Sequence, residues 1–280
     1  MRGEPPAKQY PAKVVVAPMD RGRLRTELAG LGLRAGMTVL AHCSLSRVGR
    51  VDGGADALRE ALLDVIGERR GTLVVPTQTG SNSESSPEYR AAVAELDAYG
   101  LEAHRARVTG FDPAVSPSEG MGALAESVRR HPRAYRSPHP ISSFAAVGRY
   151  AKELCSDHPL DCLLGPRSPL GLLAELDARV LLLGVGYDKC TAFHLGEARA
   201  LPTWLPAWRQ YRCKVGEEWL DFKGLSYQDS DFAELGSRFE HTHSAAVFRG
   251  SLGAAATRLF PLALAADFAE KDLPELRLAR

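Results

Sequence analysis

The stretch Cys190-Thr191-Ala192-Phe193-His194-Leu195-Gly196-Glu197-Ala198-Arg199-Ala200 holds the residue types best suited to moving a proton. If it is helical, positions three apart share a face, and Thr191, His194 and Glu197 line up. A carboxylate that holds one imidazole nitrogen leaves the other free to accept a proton. An unperturbed histidine titrates at about 6.5, so such a pair suits a general base near neutral pH. The same spacing also describes an ordinary helix start, with Thr191 as N-cap and Glu197 as a solvated residue. Cys190 and His194 are four apart, a spacing found in metal sites. No second pair matches it, and no metal is expected.

These residues need a platform. The run before them, Arg179-Val-Leu-Leu-Leu-Gly-Val-Gly186, is short, aliphatic and closed by glycines, which predicts a buried strand. The triplet then stands at the end of a strand, where open α/β sheets bind ligands. Upstream, Asp20 is a plausible N-cap for a helix carrying Leu24, Leu28 and Leu31, and Met37 to Cys43 reads as a strand. The glycine-bearing loop His42-Cys-Ser-Leu-Ser-Arg-Val-Gly-Arg-Val-Asp-Gly-Gly54 follows, then a helix from Ala55 to about Arg69. Strand, Ser/Gly loop and helix start together suit an anion. The loop matches neither the P-loop nor the dinucleotide pattern, and a plain β–α turn fits it as well.

Gly71 to Thr77 is the next strand. Residues 78–117 form a long insertion, polar at its start, with one helix near Tyr89 to Tyr99. Insertions of this length after a strand are usually functional, and this one is read as a substrate-facing flap. Further helices are expected over 118–130, from Ser168 to Leu176, from Asp229 to Phe239 and from Gly253 to Lys271, with a β-hairpin at 211–222. Strands alternate with helices and no linker divides the chain, so the class is α/β. Residues 1–18 read as a loosely held arm.

With 45% hydrophobic residues in 280, the chain can bury a sizeable core without metal or disulfide staples. A formal net charge of +1 argues against a dedicated nucleic-acid binder. The five cysteines are an odd number without a C-x-x-C, which fits a reduced, cytoplasmic protein. No secretory h-region and no run of the roughly 20 apolar residues needed to span a bilayer is present, so no membrane partner is expected.

The order of several segments carries a resemblance. They are His42-Cys-Ser-Leu-Ser46 with Gly49 and Gly53-Gly54, Gly71-Thr-Leu-Val-Val-Pro-Thr77, Phe111-Asp112, and Met121-Gly122 with Glu126. Arg136-Ser-Pro-His-Pro with Ser143-Phe-Ala-Ala146, Ser168-Pro-Leu170, Leu181-Leu-Leu-Gly-Val185 and Thr191-Ala-Phe-His-Leu-Gly-Glu197 complete the set. From about Arg21 to Ala269 the chain resembles the aminoglycoside N3-acetyltransferases, an acetyl-CoA-dependent family. The resemblance implies one large α/β domain, residues 19–280, with a mixed central sheet flanked by helices. It implies His194 as base on the accepting amine, oriented by Glu197 with Thr191 nearby. It also implies that the loop of His42, Ser44, Leu45 and Ser46 holds coenzyme A, with Arg136, Ser137 and His139 as a second wall.

Glu84 and Asp112 in the insertion are the expected acceptor contacts. The amine, once deprotonated, would attack the thioester directly, and backbone N–H groups near Cys43 to Leu45 would face the developing oxyanion. The partner implied is a small amine, the assembly a monomer or homodimer. Aminoglycosides are polycations, yet 35 Lys+Arg stand against 34 Asp+Glu, so a less cationic natural-product amine is an alternative acceptor. A non-catalytic coenzyme A binder and a Cys190–His194 hydrolase are the alternatives of other classes.

Overall fold

A computed structural model describes residues 18–200 and 208–278, so the predicted arm, apart from Pro18, lies outside the described residues. Nine strands are described among them: β1 (Thr38–Cys43), β2 (Thr72–Pro76), β3 (Tyr135–Arg136), β4 (Phe144–Gly148), β5 (Arg179–Leu183), β6 (Trp208–Val215), β7 (Glu218–Leu225), β8 (Phe248–Leu252) and β9 (Ala255–Pro261). The helices are α1 (Arg21–Gly30), α2 (Leu45–Val48), α3 (Gly54–Ile66), α4 (Pro87–Val93), α5 (Ala98–Arg107), α6 (Gly122–Arg129), α7 (Ala151–Ser156), α8 (Pro169–Glu175), α9 (Ala192–Arg199), α10 (Phe232–Thr242) and α11 (Leu262–Leu278). Seven strands form one mixed sheet in the order β3-β4-β2-β1-β5-β9-β8. Its centre, β2-β1-β5, is parallel, and the flanking pairs are antiparallel.

Side chains alternate across the sheet and build two cores. Val39, Ala41, Leu73, Val75, Leu181 and Leu183 pack with Leu24 and Leu28 of α1, Leu58 and Leu62 of α3, and Leu124 of α6. Leu40, Val74, Val180 and Leu182 face the other way, onto Leu170 and Leu173 of α8, Phe193 of α9 and the Ala265-Ala266-Ala269 face of α11. His42 follows Leu40 by two and so points to the α9 side. The near-continuous aliphatic runs of β1, β2 and β5 are what a strand covered on both faces requires.

Two expectations give way to tertiary context. The single helix expected from Gly253 to Lys271 is strand β9 followed by α11. Its first half is alanine-rich and locally helix-prone, but Ala255, Thr257 and Leu259 alternate as buried positions, and the strand is held between β5 and β8. The one helix near Tyr89 to Tyr99 is two, because the Asp97 carboxylate accepts the Gly100 N–H at 2.7 Å and starts a new helix. The insertion is pinned to the β6–β7 hairpin: the Glu84 N–H donates to Arg212 O at 3.0 Å and the Phe111 N–H to Lys214 O at 2.8 Å.

Candidate active site

The parallel strands β1 and β5 end side by side, His42 opposite Leu182 and Cys43 opposite Leu183. Beyond their carboxyl ends lies a cavity of about 720 Å³. His42, Cys43, Ser44, Leu45, Ser46 and Arg47 form one wall, and Gly184 to Gly186 with Asp188, Lys189, Cys190, Thr191 and His194 form the opposite one. Gln78, Gly120, Met121, Gly122, Asp229 and Phe232 help to close it. The two loops touch at Gly184, where a Cβ would stand 2.9 Å from the Cβ of Arg47 and 3.3 Å from Ser44 O, and where φ is +64°. Glycine is therefore required for the loops to approach.

His194 Nδ1 lies 2.7 Å from Glu197 Oε2. Glu197 is buried, 3% exposed, and its second oxygen accepts from Arg277 Nη1 at 2.7 Å and from the Gln228 N–H at 3.2 Å. Both oxygens of Glu197 thus meet donors, and with Nδ1 donating to Oε2 the neutral imidazole keeps a lone pair on Nε2. The ring is fixed by Phe232 and Tyr227, with centroids at 4.6 and 5.1 Å. Thr191 precedes α9 and lines the cavity, and its side chain caps nothing.

His42 is buried and lines the same cavity, and among the described residues no partner meets its Nε2. Burial, and next the positive charge His194 can carry, lower its pKa to about 4, so it is neutral in the physiological range. Ser44 Oγ and Ser46 Oγ lie 3.3 Å apart on the cavity wall. Of the backbone donors expected near Cys43 to Leu45, that of Ser44 is already spent on Leu183 O at 2.9 Å. Those of Leu45 and Ser46, in the first turn of α2, have no intrahelical acceptor. Burial pushes the thiols of Cys43 and Cys190 up to about 12, so neither is a thiolate near neutral pH.

Five expected site residues stand elsewhere. Ser137 and His139 are fully buried and do not line the cavity. His139 Nδ1 accepts from the N–H groups of Ile141 and Ser142 at 3.1 and 3.2 Å, and Nε2 meets Leu160 O at 3.2 Å. Ser137 Oγ pairs with His158 Nδ1 at 3.0 Å and accepts the Phe144 N–H at 2.9 Å. Both side chains are consumed in bracing the Pro-His-Pro turn. Arg136 donates to Thr77 O at 2.6 Å, to Ser143 Oγ at 3.0 Å and to Ser116 O, and stacks over Phe111 at 4.9 Å. It clamps the root of the insertion to the sheet.

Glu84 is held by Arg105 at 2.7 Å and by the Tyr89 hydroxyl at 3.2 Å. Asp112 caps its own turn, accepting the Ala114 N–H at 2.8 Å. A second cavity of about 570 Å³ adjoins the first, shares Gln78, Gly120 and Met121 with it, and carries Glu88, Glu119 and Arg209. These residues, like Asp229 and Phe232, give no spacing signal in the sequence. Among the described residues there is no group of three or more His, Cys, Asp or Glu that could hold a metal, and no helix long and apolar enough to cross a membrane.

A mixed α/β sheet with a histidine–carboxylate pair over its parallel centre defines the class of protein, and comparison with known proteins supplies the family. The family model for aminoglycoside 3-N-acetyltransferase matches residues 40–274. The aminoglycoside N(3')-acetyltransferase-like protein YokD of Bacillus subtilis is 38% identical over 257 residues, 91% of this chain and 92% of its own. Its crystal structure superposes with a TM-score of 0.83 at 35% identity, covering 92% of this chain and all of that one. Aminoglycoside N(3)-acetyltransferase VII of Streptomyces paromomycinus is 36% identical over 267 residues, 90% of each chain. The acetyltransferase AAC-IIIb, solved as a binary complex with CoASH, superposes with a TM-score of 0.78 at 26% identity over 93% of this chain and 98% of that one.

The chain belongs to the aminoglycoside 3-N-acetyltransferase family. It is an acetyl-CoA-dependent amine N-acetyltransferase.

Proposed function

We propose that the protein acetylates a primary amine of an aminoglycoside-like acceptor by direct transfer, with His194 as general base. The observation that carries this reading is the 2.7 Å bond between His194 Nδ1 and Glu197 Oε2, made by a histidine that lines the cavity. A protonated substrate amine cannot attack. Nε2 of His194 takes its proton, and Glu197 stabilises the imidazolium that results. Thr191, beside His194 on the cavity wall, is placed to relay or accept a hydrogen bond from the same amine.

Acetyl-CoA supplies the activated acetyl group as a thioester. The residues present fit such a donor: His42 offers a buried ring nitrogen with no partner, Ser44 and Ser46 offer hydroxyls, Leu45 offers apolar surface, and Arg47 and Lys189 are cations for its phosphates. AAC-IIIb, a structural relative, is solved with CoASH bound, which supports a coenzyme A donor here. The buried, protonated thiols of Cys43 and Cys190 speak against a covalent relay or a thiol hydrolase.

The acceptor enters through the adjoining cavity, where Thr79, Ser83, Ser85 and Ser86 suit a polyhydroxylated molecule and Glu88 suits an ammonium. Glu84 and Asp112 act only through the shape of the insertion. A second reading has one specific observation behind it. Asp188, Asp229, Glu88 and Glu119 face the two cavities together with Arg47, Lys189 and Arg209, and Glu119 is occupied by the N–H groups of Gly80 and Ser81 at 2.9 Å. So balanced a lining also fits a less cationic natural-product amine.

The test is release of coenzyme A thiol from acetyl-CoA against 2-deoxystreptamine aminoglycosides, simple amino sugars and phosphorylated amines, with His194→Ala as control. Turnover with aminoglycosides that needs His194 is expected. Turnover with another amine alone moves the acceptor to the second reading, and undiminished activity in His194→Ala overturns the base.

A further inference from the structure

Behind the histidine–carboxylate pair stands a guanidinium. Arg277 lies in the last turn of α11 and reaches two carboxylates at once: Nη1 to Glu197 Oε1 at 2.7 Å, Nε to Asp231 Oδ2 at 2.5 Å and Nη2 to Asp231 Oδ1 at 3.1 Å. Nη2 also donates to Gln228 O at 2.9 Å, while the Gln228 N–H donates to Glu197. The cluster is buried: the side chains of Arg277, Glu197 and Asp231 are 11, 4 and 3% exposed. In such a place the planar fork of arginine fixes both partners in orientation as well as in charge.

The backbone beneath makes this a firm support. At Gly196, between His194 and Glu197 in the sequence, a Cβ would come within 2.2 Å of Ala266 O and 2.6 Å of Ala269 Cβ. α9 and α11 cross at nearly backbone contact, which only glycine permits. Arg277 thus approaches Glu197 from a helix that cannot shift without moving the base.

We propose that Arg277 is a positioning residue for acetyl transfer, holding Glu197 against His194 and offsetting enough of its charge that the histidine returns to its neutral form in each cycle. This rests on His194 being the base. The family model ends at residue 274, so Arg277 lies outside the stretch it matches.

Several charged or titratable groups line the cavity beside His194 or touch it, Glu197 or Arg277. Glu197 and Cys190 belong to its own segment. His42 comes from β1, Tyr227 and Asp229 from the segment after β7, Asp231 from the start of α10 and Arg277 from α11. Arg277 is the cation among those in direct contact with Glu197. Among the described residues, removing it leaves Glu197 and Asp231 with no arginine between them, and a proton on the histidine is then held more tightly. Removing the charge of Asp231 does the reverse, because the guanidinium then acts on Glu197 alone.

The experiment measures the pH profile of kcat/KM for Arg277→Met and Asp231→Asn, with thermal unfolding of each variant and His194→Ala in parallel. In Arg277→Met the acid limb is expected to move to higher pH by roughly one unit, with kcat at neutral pH down about tenfold and KM for acetyl-CoA little changed. In Asp231→Asn the acid limb is expected to move to lower pH. A merely structural network lowers thermal stability in both and moves neither limb, and that result overturns the inference. If Arg277→Met does not fold, Asp231→Asn decides alone by the same criterion. An active His194→Ala variant would instead remove the base itself, a separate failure from unmoved limbs beside a dead His194→Ala.

Discussion

The molecule contains two histidine pairs, and they serve opposite ends. His42 and His194 face one cavity across the ends of β1 and α9. His139 and His158 lie against each other in the core, ring centroids 4.7 Å apart. In the core pair the ring nitrogens are occupied by backbone groups and by Ser137 Oγ. In the cavity pair, His194 spends one nitrogen on a carboxylate, and His42 keeps a buried Nε2 without a partner among the described residues. A histidine satisfied on both sides holds a turn together, whereas one satisfied on a single side can work on a ligand.

That contrast is broken most directly at His194. His194→Ala is expected to lower kcat/KM by about 10²–10⁴-fold with little change in melting temperature, read by thiol release and thermal unfolding side by side. His139→Ala is expected to do the opposite, costing roughly 2–5 kcal/mol of stability while kcat per folded molecule stays within about threefold. Loss of activity out of proportion to unfolding in that variant would return His139 to the active site.

A pH titration sharpens the same contrast. Burial first, then the charge of its neighbour His158, lowers His139 from 6.5 to about 3, and burial lowers His158 to about 4. Both rings are neutral in the fold and bind protons more readily when unfolded. Their contribution is therefore complete above about pH 6.5 and is lost as pH falls toward 4 and 3. Urea midpoints measured from pH 7 down to pH 4 should fall, and the fall should be shallower in a variant lacking one of the two rings. Smallest is the effect at the thiol: Cys190→Ala is expected to change kcat by less than about threefold, and iodoacetamide should leave the native enzyme active, since the thiol sits near 12 and is fully buried.

What could be read from the sequence follows from how locally each feature is made. The i, i+3 spacing of His194 and Glu197 is set by one helix, and the glycine-closed aliphatic runs of β1, β2 and β5 carry their own signal. Asp20 caps α1 as its type predicts, accepting the Arg23 N–H at 2.8 Å. The resemblance implies Ser137 and His139 as a wall of the site, and His139 between two prolines marks a constrained loop. Their partners, His158, Leu160 and the Ile141–Ser142 backbone, are tertiary. Glu84 is an expected acceptor contact by its place in the insertion, and Arg105, 21 positions away, pairs with it only in the fold. Arg277 meets Glu197 across 80 positions, and no pattern of residue types announces that contact. Strand β9 differs from the expected helix for the same reason: alanines lean to helix until β5 and β8 bracket them.

The crossing of α9 and α11 also bears on how the chain acquires activity. His42 comes from the first strand and Arg277 from the eleventh helix, and β9 must slot between β5 and β8 before α11 can lie over Gly196. Contacts between segments so distant in sequence form late, because the chain entropy of closing large loops is lost before the contacts repay it. Local helices assemble early by comparison. On refolding from denaturant, recovery of turnover should therefore lag recovery of the helical signal, with catalytic competence marking the final docking event.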